Sequence, residues 1–175
     1  SSSRKSLKMY NYDLPSNLYP NGVGNQFFLK SSSRKKDKLK ILFVGRNEKR
    51  KGPELLIEAC KGLNYKNIKN DYEFVMIGKG IEKFKNKYNY LDNCKFFGHL
   101  EGKSLLDHYS NSDILCSPAI ENESFGIVLI EAMASKTAVL ASNINGYNEI
   151  INNTNGLLFK NKDVNDLINK LTLLI

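Results

Sequence analysis

Ile41-Leu42-Phe43-Val44 runs directly into Gly45-Arg46-Asn47-Glu48-Lys49-Arg50-Lys51-Gly52-Pro53, then into a helical stretch from Glu54 to Leu63, and then reaches Phe74-Val75-Met76-Ile77. The two apolar runs are short and nearly continuous, the pattern of strands buried on both faces. Between them, Pro53 suits a first helical position, and Leu55, Leu56, Ala59 and Leu63 fall on one face of the helix it opens. Strand, helix, strand in this order implies a right-handed crossover between parallel neighbours.

Outward from this unit the alternation continues. Strands are expected at Lys95-Phe96-Phe97, Ile114-Leu115-Cys116, Ala138-Val139-Leu140-Ala141 and Leu157-Leu158-Phe159. Helices are expected over Ile81 to Tyr88, Ser104 to Ser110, Phe125 to Ala134 and Val164 to Leu174, with a short turn near Tyr147 to Ile151. The fold class is therefore α/β: a Rossmann-like, three-layer α/β/α domain over residues 39–175, with a parallel sheet and its ligand crevice beyond the carboxyl ends of the strands. Residues 1–38 are polar and of low complexity, with Ser-Ser-Ser-Arg-Lys at Ser1 to Lys5 and again at Ser31 to Lys35, and read as a linker with a turn at Pro20-Asn21-Gly22.

Bulk properties narrow the class. With 41% hydrophobic and 25% charged residues in 175, the chain is long enough and apolar enough for one domain with its own core. No apolar run approaches the ~18 residues of a membrane span, and Ser1-Ser2-Ser3-Arg4-Lys5 lacks the apolar stretch of a signal peptide, so the expected compartment is the cytoplasm. Cys60, Cys94 and Cys116 are odd in number and widely spaced, and read as buried thiols rather than a disulfide framework or zinc cluster. His99 and His108 have no partner at metal-ligand spacing and read as surface or loop residues. The net charge of +8 fits an anionic partner, although most of the lysines, as in Lys83-Phe84-Lys85-Asn86-Lys87, read as a solvated face.

Two stretches carry candidate chemistry. Pro118 to Ala134 follows a strand and opens a helix; Ser124 is a plausible N-cap, leaving the backbone N–H groups of Phe125, Gly126, Ile127 and Val128 free to receive an anion. Gly126 adds no side chain to obstruct a phosphate. Glu123 and Glu131 bracket this turn, and each carboxylate can accept from two vicinal hydroxyls, so the pair suits a ligand with sugar at one end, ribose at the other and phosphates between. Glu131 is flanked by Leu129, Ile130, Ala132 and Met133, a poor setting for a purely solvated residue. In the loop after Val44, Arg46 and Lys51 form a credible diphosphate clamp, whereas Lys49 and Arg50 read as basic surface.

The order of Pro20-Asn21-Gly22-Val23, Gly45-Arg46 through Lys51-Gly52, Gly98, Ser117-Pro118, Glu123-Ser124-Phe125-Gly126 to Glu131-Ala132-Met133, and Asn145-Gly146 to Glu149-Ile150 resembles the family 4 retaining glycosyltransferases of GT-B fold. The resemblance covers nearly all of the chain after Leu18 and implies the C-terminal, donor-binding half of such an enzyme. By position it implies that Glu123 contacts the donor sugar and Glu131 the ribose. It further implies that Gly45, Arg46 and Lys51 hold the diphosphate, with amides at Phe125 to Val128 completing the cradle and His99 and Leu100 lying against the base. The catalytic service falls to Arg46, Lys51 and Glu123. The substrate would be a nucleoside diphosphate sugar such as a UDP- or GDP-sugar, with no cofactor and no metal. Full enzymes pair this half with an N-terminal, acceptor-binding Rossmann-like domain that this chain does not contain; the chain reads as an excised piece, inactive alone. Where the family commonly has two adjacent glycines, this sequence has Asn145-Gly146, leaving the local backbone path open.

Acceptors would be glycans or lipid-linked molecules reached through that other domain, with peripheral contact at the cytoplasmic membrane face compatible with the basic balance. Two other classes stay open on the sequence. A basic nucleic-acid-binding module would account for the charge and for the aromatics among the lysines of Lys83 to Phe97, but leaves Glu123 and Glu131 unexplained, so no nucleic acid is expected. A non-catalytic nucleotide-sugar-binding subunit would keep the site and lose the reaction.

Overall fold

A computed structural model describes residues 22–28, 38–66, 68, 71–123 and 125–175. Six strands, β1 (Leu39–Val44), β2 (Tyr72–Ile77), β3 (Cys94–Phe97), β4 (Ile114–Ser117), β5 (Ala138–Ser142) and β6 (Leu157–Phe159), form one sheet in the order β3-β2-β1-β4-β5-β6. Every neighbouring pair is parallel. The order reverses between β1 and β4, the switch point beside which open parallel sheets bind ligands.

The α-helices are α1 (Pro53–Tyr65), α2 (Phe84–Lys87), α3 (Gly102–Ser110), α4 (Ile127–Ala134), α5 (Asn145–Asn148) and α6 (Val164–Leu174). Side-chain alternation along the strands builds two cores. Ile41, Phe43, Phe74 and Met76 face one side with Leu56, Leu63, Leu167 and Leu171 of α1 and α6. Leu42, Val75, Ile77 and Leu115 face the other with Tyr109, Leu129 and Tyr147. Both faces are covered, which is why the strands need no polar alternation.

Pro53 occupies the first position of α1 as expected, but the buried face is Leu56, Ile57, Ala59, Cys60 and Leu63, while Leu55 is only half-buried. α6 has the expected bounds, and the Asp163 carboxylate caps it by accepting from the Asp166 N–H at 3.0 Å. The helix expected over Ile81 to Tyr88 is shorter and mixed: a 3-10 turn at Ile81–Lys83 precedes α2. The turn expected at Tyr147 to Ile151 is instead centred earlier, on α5.

Two assignments made on residue type need correction. His108 is not a surface histidine: it lies half-buried on α3 with its ring 5.1 Å from that of Phe97, and burial lowers its pKa below the usual 6.5. Cys60 and Cys116 are buried free thiols, but Cys94 is only half-buried, its Sγ 3.2 Å from that of Cys60 beside Tyr72 and Asn93. Within the segment expected to be linker, Asn25–Phe27 forms a 3-10 turn that buries Phe27 against Tyr109, ring centroids 5.5 Å apart and edge to face. The expected turn at Pro20-Asn21 lies outside the described residues.

Candidate donor site

Two loops leave the sheet at its switch point, residues 45–52 after β1 and 118–126 after β4. They are joined backbone to backbone, Ile120 N–H donating to the Arg50 carbonyl at 2.8 Å. Gly52 permits this approach: its φ is +68°, and a Cβ there would overlap the Pro118 carbonyl. The β1 loop tightens into a 3-10 turn at Lys49–Lys51, which turns Lys51 and Arg50 toward the β4 loop.

There the Glu123 carboxylate forms ion pairs with Lys51 and, at 3.1 Å, with Arg50. The Glu123 side chain is only 9% exposed. A carboxylate that deep needs compensating charge, and two cations on one oxygen supply it. Arg50 also donates to Glu48 at 2.8 Å and to the Asn122 carbonyl at 3.3 Å. Its expected place as basic loop surface is thus corrected: the side chain crosses into the site. Arg46 lies at the rim, 60% exposed, paired with Glu48 at 2.9 Å. Gly45 ends the strand register, donating to the Ile77 carbonyl at 2.9 Å.

The start of α4 differs from expectation. The helix begins at Ile127, and its N-cap is Gly126 in the left-handed region at φ +67°, with no side-chain cap bond. Ser124, expected to be that cap, lies outside the described residues. Phe125 and Gly126 therefore precede the helix, and the first-turn amides are those of Ile127 and Val128, since Leu129 N–H already bonds the Gly126 carbonyl at 2.9 Å. The cause is backbone geometry: a left-handed residue cannot continue a helix, and Gly126 takes that conformation without penalty.

α5 backs this loop. A Cβ on Gly146 would overlap the Glu123 carbonyl, and one on Gly126 would come within 2.6 Å of the Tyr147 ring. Tyr147 is fully buried, its hydroxyl 2.6 Å from Ser117 Oγ at the end of β4. In the Asn145-Gly146 pair the close approach to the loop backbone is at Gly146. Glu131, in the second turn of α4, is half-buried and accepts from the Tyr109 hydroxyl at 2.7 Å. Burial raises its pKa, and the Tyr109 hydrogen bond partly offsets that rise.

His99 is exposed, 3.6 Å from Glu101 Oε2, and Leu100 is half-buried against the second core. A cleft of about 360 Å³ lined by Asn47, Lys49, Gly52, Pro53, Ile120 and Lys162 adjoins the loops but takes in none of Lys51, Glu123 and Glu131. The structure thus brings Lys51, Arg50 and Glu123 into direct contact and places Arg46 at the margin. Arg50, Tyr109 and Tyr147 are site-shaping residues that spacing did not single out; the first needed the path of the 3-10 turn, the other two the packing of distant elements.

Fold and geometry define a parallel-sheet α/β domain whose switch-point loops bring two cations, Arg50 and Lys51, onto one carboxylate, Glu123. The chain belongs to the glycosyl transferases group 1 family, whose model matches residues 25–175. It is 32% identical over 114 residues to a phosphatidyl-myo-inositol mannosyltransferase of Mycobacterium leprae, covering 63% of this chain and 30% of that protein. It is 34% identical over 140 residues to an uncharacterized glycosyltransferase of Methanocaldococcus jannaschii, covering 77% of this chain and 37% of that one. The chain thus spans about a third of the length of these relatives. Among solved structures, a sucrose-phosphate synthase from Thermosynechococcus elongatus superposes with a TM-score of 0.77 at 26% identity, covering 98% of this chain and 46% of that one. An Anabaena HepE structure in complex with UDP and glucose shares the fold at 19% identity and a TM-score of 0.65, covering 78% of this chain and 38% of that one.

Proposed function

We propose that this chain is the donor half of a glycosyltransferase, holding a nucleoside diphosphate sugar for retaining transfer of the sugar to an acceptor. The carrying observation is the convergence of Arg50 and Lys51 on Glu123 at the β1/β4 switch point, beside the start of α4. In this reading Lys51, Arg46 and the amides of Ile127 and Val128 take the diphosphate, Glu123 the sugar, and Glu131 the ribose. Gly45, Ser124, Phe125 and Gly126 complete the cradle, and His99 and Leu100 flank the base.

The chemistry asked of this half is electrostatic. As the bond to the sugar lengthens, charge builds on the departing diphosphate, and preorganised cations and N–H dipoles stabilise it more than they stabilise the ground state. Lys51 and Arg46 supply that charge without a metal or cofactor, and no side chain here serves as nucleophile. The Glu123 pairing holds Lys51 at the loop junction rather than free in solvent, reducing the reorganisation needed when phosphate arrives.

We assign the acceptor, a glycan or a lipid-linked molecule, to a second domain of the whole protein, in keeping with the third of its relatives' length that this chain spans. The compartment in this reading is the cytoplasm, where the three free thiols suit a reducing environment, with peripheral membrane contact left to the acceptor side. No described helix is long and apolar enough to cross a membrane.

Calorimetry of the chain against UDP, GDP, ADP and their sugar conjugates tests the proposal. Saturable binding of one nucleotide family is expected, weakened about tenfold or more by Lys51→Ala and by Glu131→Ala in a folded protein. Binding untouched by both substitutions would remove the site assignment.

A further inference from the structure

Tyr109 is fully buried near the end of α3, and its surroundings leave it little freedom. Phe27 packs edge to face on the ring, with centroids 5.5 Å apart. The Tyr109 carbonyl accepts from Thr137 Oγ1 at 2.7 Å, and Ser135 Oγ, at the C-terminal cap of α4, donates to the Phe27 carbonyl at 3.1 Å. Three elements distant in sequence, the 22–28 segment, α3 and the turn after α4, thus fix one phenol. Its hydroxyl donates to Glu131 Oε2 at 2.7 Å, a charge-assisted bond reaching the one carboxylate of α4.

We propose that Tyr109 is a positioning residue for Glu131: it engages one carboxylate oxygen and holds the side chain so that the other oxygen is presented to the vicinal hydroxyls of the nucleotide ribose. The inference rests on the assignment of Glu131 to the ribose made above. A carboxylate accepts at both oxygens, so a donor on Oε2 leaves Oε1 for a diol. A free glutamate would have to be ordered on binding; one already hydrogen-bonded to a rigid buried phenol has lost that freedom beforehand, and the affinity gained is specific to the group it meets. The geometry serves discrimination between ribose and a sugar lacking the diol, because a site built to meet hydroxyls rejects an analogue without them.

The test compares UDP and GDP with their 2′,3′-dideoxy counterparts, by calorimetry, in the wild-type chain, Tyr109→Phe, Glu131→Ala and the double variant. Wild type is expected to favour the ribonucleotide by roughly tenfold, the scale of a hydrogen bond to a charged group. Tyr109→Phe keeps the ring and its packing, and is expected to reduce that preference to about threefold or less while leaving dideoxynucleotide affinity unchanged. The double variant should lose no more preference than Glu131→Ala alone, since the tyrosine acts only through the glutamate. A preference undiminished in Tyr109→Phe, a loss shared equally by both nucleotides, or additive losses in the double variant would each overturn the positioning role. A preference undiminished by Glu131→Ala, or absent from wild type, would instead remove the ribose assignment beneath it.

Discussion

Glu131 joins two opposing demands. It is half-buried in α4, and burial raises its pKa above the ordinary value of 4.5. Between the unfolded value and this higher folded one, the folded chain binds more protons than the unfolded chain. Stability therefore falls as pH rises through that window. Glu131→Gln removes the charge and keeps an oxygen for Tyr109. It is expected to raise the melting temperature at pH 7 by about 1–3 °C and to weaken nucleotide binding in the same sample; thermal denaturation beside calorimetry checks both, and a lowered melting temperature would contradict the burial argument. His108 runs the other way. Its folded pKa lies below 6.5, so the unfolded chain takes up the proton first and stability is lost as pH falls below about 6.5. Denaturation of His108→Phe between pH 5 and 7.5 should show a flatter profile than wild type, the Phe97 contact being kept.

At the level of elements, the parts most legible in the sequence were those decided locally. Pro53 set the start of α1, apolar continuity marked six strands, and the bounds of α6 followed from periodicity. What was not legible depended on partners far along the chain. Whether Lys49, Arg50 or Lys51 faces the site is decided by the 3-10 turn and by the position of Glu123 more than seventy residues away. The start of α4 was displaced because the polar residue best suited to cap a helix lies near a glycine that takes a left-handed conformation, and the backbone decided. The Asn145-Gly146 pair illustrates the difference: composition could not say which residue mattered, but the close approach to the Glu123 carbonyl is at Gly146. Gly146→Ala is therefore expected to displace the Glu123 loop, weakening nucleotide-sugar binding about tenfold or more, whereas Asn145→Ala leaves it within about twofold. Equal effects at the two positions would show that α5 does not back the loop.

At the scale of the whole molecule, the charge that suggested a nucleic-acid partner is unevenly placed. Seven of the 26 Lys and Arg residues but only two of the 18 Asp and Glu residues lie in residues 1–37, so five of the eight net charges fall in that stretch. The domain that carries the site is much nearer neutrality, and its function rests on a few placed cations rather than on a general field. The same N-terminal region makes a second, apolar contribution. Phe27 sits in the second core, on the ring of the tyrosine that holds Glu131, so a segment reading as polar linker closes the face opposite α1 and α6. Burying a phenylalanine there contributes on the order of 3 kcal/mol, most of which Phe27→Ala should forfeit in chemical denaturation. The substitution should also reduce ribonucleotide affinity, because it loosens the support of Tyr109, while Phe28→Ala, at an exposed neighbour, changes neither. Equal stability in the two variants would mean that the domain's core is complete without the segment and that Tyr109 is held by α3 alone.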